Sequence, residues 1–131
     1  GLLLQTTSSC VAPFLQRAGV EAIRGPQEDV KAMMSEYKAR RDLLVNGLNE
    51  LPGVTCLKPG GAFYVFPNIT GTGMDDEIFA KRMLEDAGVS LLPGSNFGKN
   101  GKGYVRLCYA NSRANISEGL KRMKNFLERS K

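Results

Sequence analysis

Apolar residues at Val11, Phe14, Leu15, Ala18 and Ala22 recur at i, i+3 and i+4, the spacing of one helix face. They predict a short helix ending at Gly25, with Thr6, Thr7, Ser8 and Ser9 as available N-caps. Pro26 then opens a second helix: its locked φ suits the first helical position, and Glu28 and Asp29 place acid in the first turn. Val30, Met33, Met34, Tyr37, Leu44, Leu48 and Leu51 form one stripe along it, up to Pro52-Gly53. Beyond that point the period shortens. Residues 54–57 and 62–66 are rich in aromatic and β-branched side chains and flank Lys58-Pro59-Gly60-Gly61, which predicts a hairpin. A helix follows Gly71-Thr72-Gly73, with Ile78, Phe79, Met83, Leu84 and Ala87 facing inward and Gly88 just past its end. Residues 89–92 read as a short buried strand, 93–103 as a glycine-rich loop and 104–109 as the last strand. Asn115 with Glu118 gives a capping-box start to a final helix carrying Ile116, Leu120, Met123 and Leu127. This order predicts an α/β (α+β) two-layer domain, with helices packed on one face of a small mixed sheet.

A chain of 131 residues that is 42% hydrophobic and 24% charged fits one globular domain with a sizeable core. It begins at Gly1 without methionine, which suggests a cut inside a longer chain, and Leu2-Leu3-Leu4 lacks the basic flank of a signal peptide. No apolar run approaches the roughly 20 residues of a membrane span. The net charge of +5 raises the question of nucleic acid. However, the cations are scattered from Arg17 to Lys131, and those in residues 121–131 lie where a closing helix favours positive charge, so neither nucleic acid nor membrane is an expected partner. Cys10, Cys56 and Cys108 are far apart and the chain has no histidine, so no disulfide framework and no metal site are expected, and a reducing cytoplasm fits best. The Asn-x-Ser/Thr triplets at Asn68 and Asn115 would matter only in a secreted protein.

The absence of histidine also removes Ser-His-Asp and Cys-His catalysis. Ser35-Glu36-Tyr37-Lys38 matches Ser-x-x-Lys, but it lies midway along a helix without companion motifs. The loop from Gly94 to Gly103 leads into a strand rather than a helix N-terminus, so its glycines are better suited to tight turning beside a ligand or another domain than to a phosphate. Arg106 is the most informative side chain. Strand alternation sets Tyr104, Arg106 and Cys108 on one face and Val105, Leu107 and Tyr109 on the other, both half buried. A guanidinium there calls for a carboxylate, either an internal Asp or Glu or that of a substrate.

Three segments read together resemble the class I aminotransferases, most closely the bacterial-type aspartate aminotransferases. They are Pro59-Gly60-Gly61-Ala62-Phe63-Tyr64-Val65-Phe66-Pro67, Leu92-Pro93-Gly94-Ser95-Asn96-Phe97-Gly98 and Gly103-Tyr104-Val105-Arg106-Leu107-Cys108-Tyr109-Ala110. Gln16, Glu21-Ala22, Gly25 and Arg40-Arg41-Asp42 extend the resemblance over essentially the whole chain. It implies the C-terminal small domain of a fold type I enzyme: residues 1–25 would pack on the missing large domain or a partner subunit, and 26–131 would form the small domain.

The resemblance further implies a homodimeric, pyridoxal-phosphate-dependent enzyme that moves an amino group between an amino acid, aspartate or a related one, and a 2-oxo acid. Arg106 would bind the substrate α-carboxylate. Phe63 would lie near the substrate, with hairpin core as its alternative role. The family's Schiff-base lysine, the aspartate for the pyridine nitrogen and the phosphate-binding residues belong to segments upstream of Gly1. No catalytic or cofactor-binding residue is therefore expected in this chain, which alone should be inactive and should not hold the cofactor covalently; Lys38 and Lys58 lie on a charged helix face and in a turn. A different outcome would be the non-catalytic effector domain of an aminotransferase-like transcription regulator.

Overall fold

The computed structural model describes residues 10–129, which divide into two compact units meeting at Met33 and Met34. In the first, helix α1 (Pro13–Arg24) begins with Pro13 directly after the N-cap Ala12; the caps expected at 6–9 lie outside the described residues. Gly25 closes α1 by donating its N–H to the Glu21 carbonyl, and the Gln27 amide bonds the carbonyls of Ala22 and Gly25. No residue of α1 is buried, although its apolar spacing is that of a core-facing helix.

Helix α2 (Glu28–Asn49) starts two residues later than expected, leaving Pro26 ahead of it. Its predicted stripe splits: Leu44, Val45 and Leu48 are buried, with Leu51 just beyond, whereas Val30, Met33 and Met34 are exposed. Periodicity tells which residues share a face, not what covers it.

The predicted hairpin does not form. Residues 54–57 make one bridge, Thr55 with Asn68, and the backbone of Cys56 is satisfied by a side chain instead. Asn49, the last residue of α2, accepts from the Cys56 N–H at 2.8 Å and donates to its carbonyl at 3.0 Å, doing the work of a partner strand. Strand β1 (Tyr64–Val65) pairs with β3 (Val105–Cys108) in the register Tyr64 to Cys108 and Val65 to Leu107. Strand β2 (Leu92–Pro93) takes the other edge, Leu92 opposite Arg106. The sheet order is β1-β3-β2, and its pairing is antiparallel throughout, not mixed as the element order predicts. The buried strand expected at 89–92 is displaced to Leu92–Pro93, and of those four residues only Leu91 is buried.

Helix α3 (Asp76–Ala87) is capped by the Asp75 carboxylate, which accepts from the Glu77 N–H, and ends at Gly88 in the left-handed region at φ 64°. Phe79, Ala80 and Met83 face the core, while Ile78 and Leu84, expected inside, are exposed. Helix α4 (Arg113–Arg129) is capped by Ser112 rather than Asn115: the Ser112 hydroxyl accepts from the Asn115 N–H, which puts Asn115 in the first turn. Ile116, Met123, Phe126 and Leu127 are its buried residues. Phe79, Leu48, Ile69, Met83, Met123, Val65 and Val105 are the largest apolar side chains fully shut from solvent. Within the second unit, buried side chains of α2, α3 and α4 share one core with Val65, Val105 and Leu107 on one face of the small sheet, while Tyr64, Phe66 and Cys108 on the other face are exposed.

Candidate functional site

The open face belongs to Arg106. On β3 the side chains of Val105 and Leu107, followed by Tyr109, turn into the core, so Tyr104, Arg106 and Cys108 point away from it. The guanidinium carbon of Arg106 lies 4.4 Å from the Tyr64 ring centroid and 4.2 Å from that of Phe97, inside cation–π range of both. Tyr64 comes from the adjacent strand, and Phe97 from the short 3₁₀ turn Gly94–Phe97 that follows β2. Phe66 stacks on Tyr104 at 5.5 Å and meets Phe97 edge-on at 6.0 Å. The result is a solvent-facing aromatic layer set around one guanidinium. Among the described residues, no carboxylate or other acceptor is bonded to Arg106, so the internal ion pair is not found and its N–H fork is left free.

Phe63 is 42% exposed, which removes its alternative role as hairpin core. It joins the cluster through Tyr64, ring to ring at 4.6 Å. Just before it, Ala62 holds φ 59°, and Tyr109 ties that bend down: its hydroxyl donates to the Ala62 carbonyl at 2.7 Å and its N–H to the Phe63 carbonyl at 2.9 Å.

The loop that delivers Phe97 is anchored by Asp76, a residue not singled out by sequence reasoning. Its side chain is 1% exposed, accepting from the N–H of Ser95 at 2.8 Å and of Gly103 at 3.4 Å. Burial opposes its charge, but these donors outweigh that and hold the carboxyl below its ordinary value. Two strands of the loop cross at Gly94 and Gly101. A Cβ on Gly94 would stand 2.1 Å from the Gly101 carbonyl oxygen, and one on Gly101 would stand 2.0 Å from that of Gly94. Close backbone approach explains these glycines.

The Arg40-Arg41-Asp42 segment is scaffolding. Arg40 pairs with Glu36, Arg41 bonds Asp42 and the Pro59 carbonyl, and Lys58 pairs with Asp42, tying α2 to the 58–61 turn. All three cysteines are free; Cys56 is buried, and burial pushes its thiol up to about 11. A groove of about 430 Å³ lies elsewhere, lined in part by Leu107, Cys108, Asn115, Glu118 and Arg122 and not by Arg106. Its chemistry offers no counterpart to the Arg106 cluster, because Arg122 is already paired with Glu118.

A family model described as Aminotransferase class I and II matches residues 2–123. The chain is 46% identical to an aspartate aminotransferase of Pyrococcus horikoshii over 123 residues, covering 92% of this chain and 32% of that protein. It is 39% identical to aromatic-amino-acid aminotransferase 2 of Thermococcus litoralis, covering 95% and 32%. Among solved structures, the aspartate aminotransferase of Rhizobium meliloti superposes with a TM-score of 0.88 at 36% identity, over 98% of this chain and 34% of that one. The aromatic aminotransferase of Pyrococcus horikoshii gives 0.89 at 38%, over 98% and 35%. The chain therefore spans about a third of the length of the relatives it matches.

Proposed function

The chain belongs to the class I and II aminotransferases, and from that premise we propose that it is the C-terminal small domain of an enzyme moving an amino group between an amino acid and a 2-oxo acid. Arg106 is the substrate-binding residue of this reading. The observation that carries it is the guanidinium's state: oriented by two rings, half-buried on the open face of the sheet and, among the described residues, not neutralised by any carboxylate. A planar two-donor fork in that state suits the α-carboxylate common to all amino acids and 2-oxo acids. Phe63, next to Tyr64, is proposed to border the same substrate.

The cluster does not fit pyridoxal phosphate itself. Tyr64 and Phe97 supply no amine for a Schiff base and no carboxylate for a pyridine nitrogen, and Lys58 is engaged with Asp42. The cofactor's anchors are assigned to the remainder of the protein, and this chain's contribution is to bind and orient the carboxylate, which lowers the entropic part of the barrier. Aspartate or a related amino acid is the proposed substrate, supported by the names of the relatives, which include both aspartate and aromatic aminotransferases. The homodimer and the cytoplasmic location belong to the same proposal and rest on the family.

The test is transamination by the full-length protein with added pyridoxal phosphate, using aspartate or phenylalanine as donor and 2-oxoglutarate as acceptor. Turnover that collapses in Arg106→Ala supports the reading. Tight binding of these amino acids without turnover would favour an effector domain instead, and undiminished turnover in Arg106→Ala would sink the assignment of Arg106.

A further inference from the structure

An arginine that awaits a ligand has a problem that a paired one does not: with no internal acceptor, its long side chain samples many rotamers and must give up that freedom when the ligand arrives. We propose that Tyr64 and Phe97 are positioning residues, a two-ring clamp that holds the Arg106 fork ready for a carboxylate; the inference rests on the reading of Arg106 above. The geometry separates two uses of one guanidinium. The rings of Tyr64 and Phe97 lie with their faces 4.4 and 4.2 Å from the guanidinium carbon, a contact that uses its charge, whereas a carboxylate engages its N–H groups by hydrogen bonds. A carboxylate partner from within the protein would fix the side chain equally well but would occupy those donors. The cation–π contacts orient the group, and among the described residues no acceptor occupies its donors.

Each ring is held by its own element. Tyr64 sits on β1, fixed in register opposite Cys108, two residues along β3 from Arg106. Phe97 is carried by the Gly94–Phe97 turn, whose Ser95 N–H is held by buried Asp76 and whose Gly94 lies against Gly101. Phe66 buttresses Phe97 edge-on. Both clamp rings remain substantially exposed, at 38% and 47%, so they are not core side chains whose loss would collapse the fold.

The experiment measures binding rather than turnover, in the full-length holoenzyme. The probes are succinate and 3-phenylpropanoate, the deamino analogues of aspartate and phenylalanine, and the one that the wild type binds more tightly is used throughout. Removing either ring, by Tyr64→Leu or Phe97→Leu, is expected to weaken binding about 5- to 10-fold, while Tyr64→Phe and Phe97→Tyr, which keep a ring, stay within about twofold. In an Arg106→Ala background the two leucine variants are expected to add nothing further. Equal losses with and without Arg106 would show that the rings merely shape the surface, and would overturn the clamp. If Arg106→Ala itself leaves probe affinity unchanged, the reading of Arg106 fails first. If Arg106→Ala weakens binding and neither leucine variant does, the clamp alone fails.

Discussion

At position 106 the alternation of one four-residue strand separates a core face from an open face, and a single side chain on the open face carries the proposed chemistry. Arg106→Lys in the full-length enzyme keeps the charge but loses both the planar fork and the extended stacking surface. Losing a charge-assisted contact of this kind costs about 1.5–3 kcal/mol, or roughly 10- to 150-fold in kcat/KM, with little change in melting temperature. Near-normal kinetics with a large drop in melting temperature would make the residue structural. The opposite signature belongs to Asp76. In Asp76→Asn one backbone N–H, of Ser95 or Gly103, would face an amide donor in a buried site, so stability should fall by about 1.5–3 kcal/mol in a denaturant titration. Unchanged stability would show that the loop is held by other contacts. Arg106 was legible in the sequence because a cation inside an apolar alternation is conspicuous. Asp76 was not, since acid at the start of a helix is ordinary and only the fold brings Ser95 and Gly103 to it, 19 and 27 residues away.

Among the elements, helices are more legible in the sequence than strands. A helix satisfies its own backbone and leaves a local signature, whereas a strand is defined by a partner that need not be near in sequence. Residues 54–57 have strand composition, yet an asparagine side chain takes the partner's place; Tyr64-Val65 pairs with β3 instead, across more than forty residues. Cap positions slipped for a related reason: Ser112 and Asn115 are both competent, and the winner depends on where the chain leaves β3. The 94–103 loop was rightly expected to need glycine, and its structure makes that testable. In Gly94→Ala the added carbon meets the Gly101 carbonyl, rigid backbone rather than a yielding side chain. A destabilisation of about 1–3 kcal/mol is expected. Phe97 should shift with the loop, which would appear as a change in the chemical shifts of its ring; a fully tolerated alanine would mean that the crossing opens at little cost.

For the whole molecule, the two-layer class followed from the order of elements, and what remained hidden was which apolar faces find cover. Ionic ties between distant elements were equally hidden. Glu36 on α2 accepts from Arg113 on α4 at 2.5 Å and from Arg40 at 2.8 Å; the Arg113 bond first and the Arg40 bond second lower its carboxyl to about 2. A folded value below the ordinary 4.5 means that this contribution is complete above about pH 4.5 and is lost as pH falls towards 2. Asp76 shifts in the same direction and adds to the same acid limb. Glu36→Gln is therefore expected to be less stable than wild type at neutral pH and to converge with it near pH 2. A difference independent of pH over this window would assign the effect to packing instead of charge.

The uncovered faces lead to an expectation about assembly. Val11, Phe14, Leu15, Ala18 and Ala22 share one side of α1 and its approach, spaced as a core stripe, yet all five are exposed, Phe14 by 71%. On α2, Val30, Met33 and Met34 are exposed as well. Apolar surface of this kind is favourable to bury, at about 25 cal/mol for each Å² removed from water, and we propose it as a site of association. The chain spans about a third of its relatives' length, which makes the remainder of the full-length protein the proposed occupant of the α1 stripe. Without that occupant the 131-residue chain should associate with itself. Sedimentation over a range of concentrations is expected to show reversible self-association, and Phe14→Ser with Leu15→Ser should shift the distribution towards monomer without lowering the melting temperature, because neither side chain is buried. A monomer at every concentration, with helix α1 intact by hydrogen exchange, would mean that the stripe is stable in water and needs no partner.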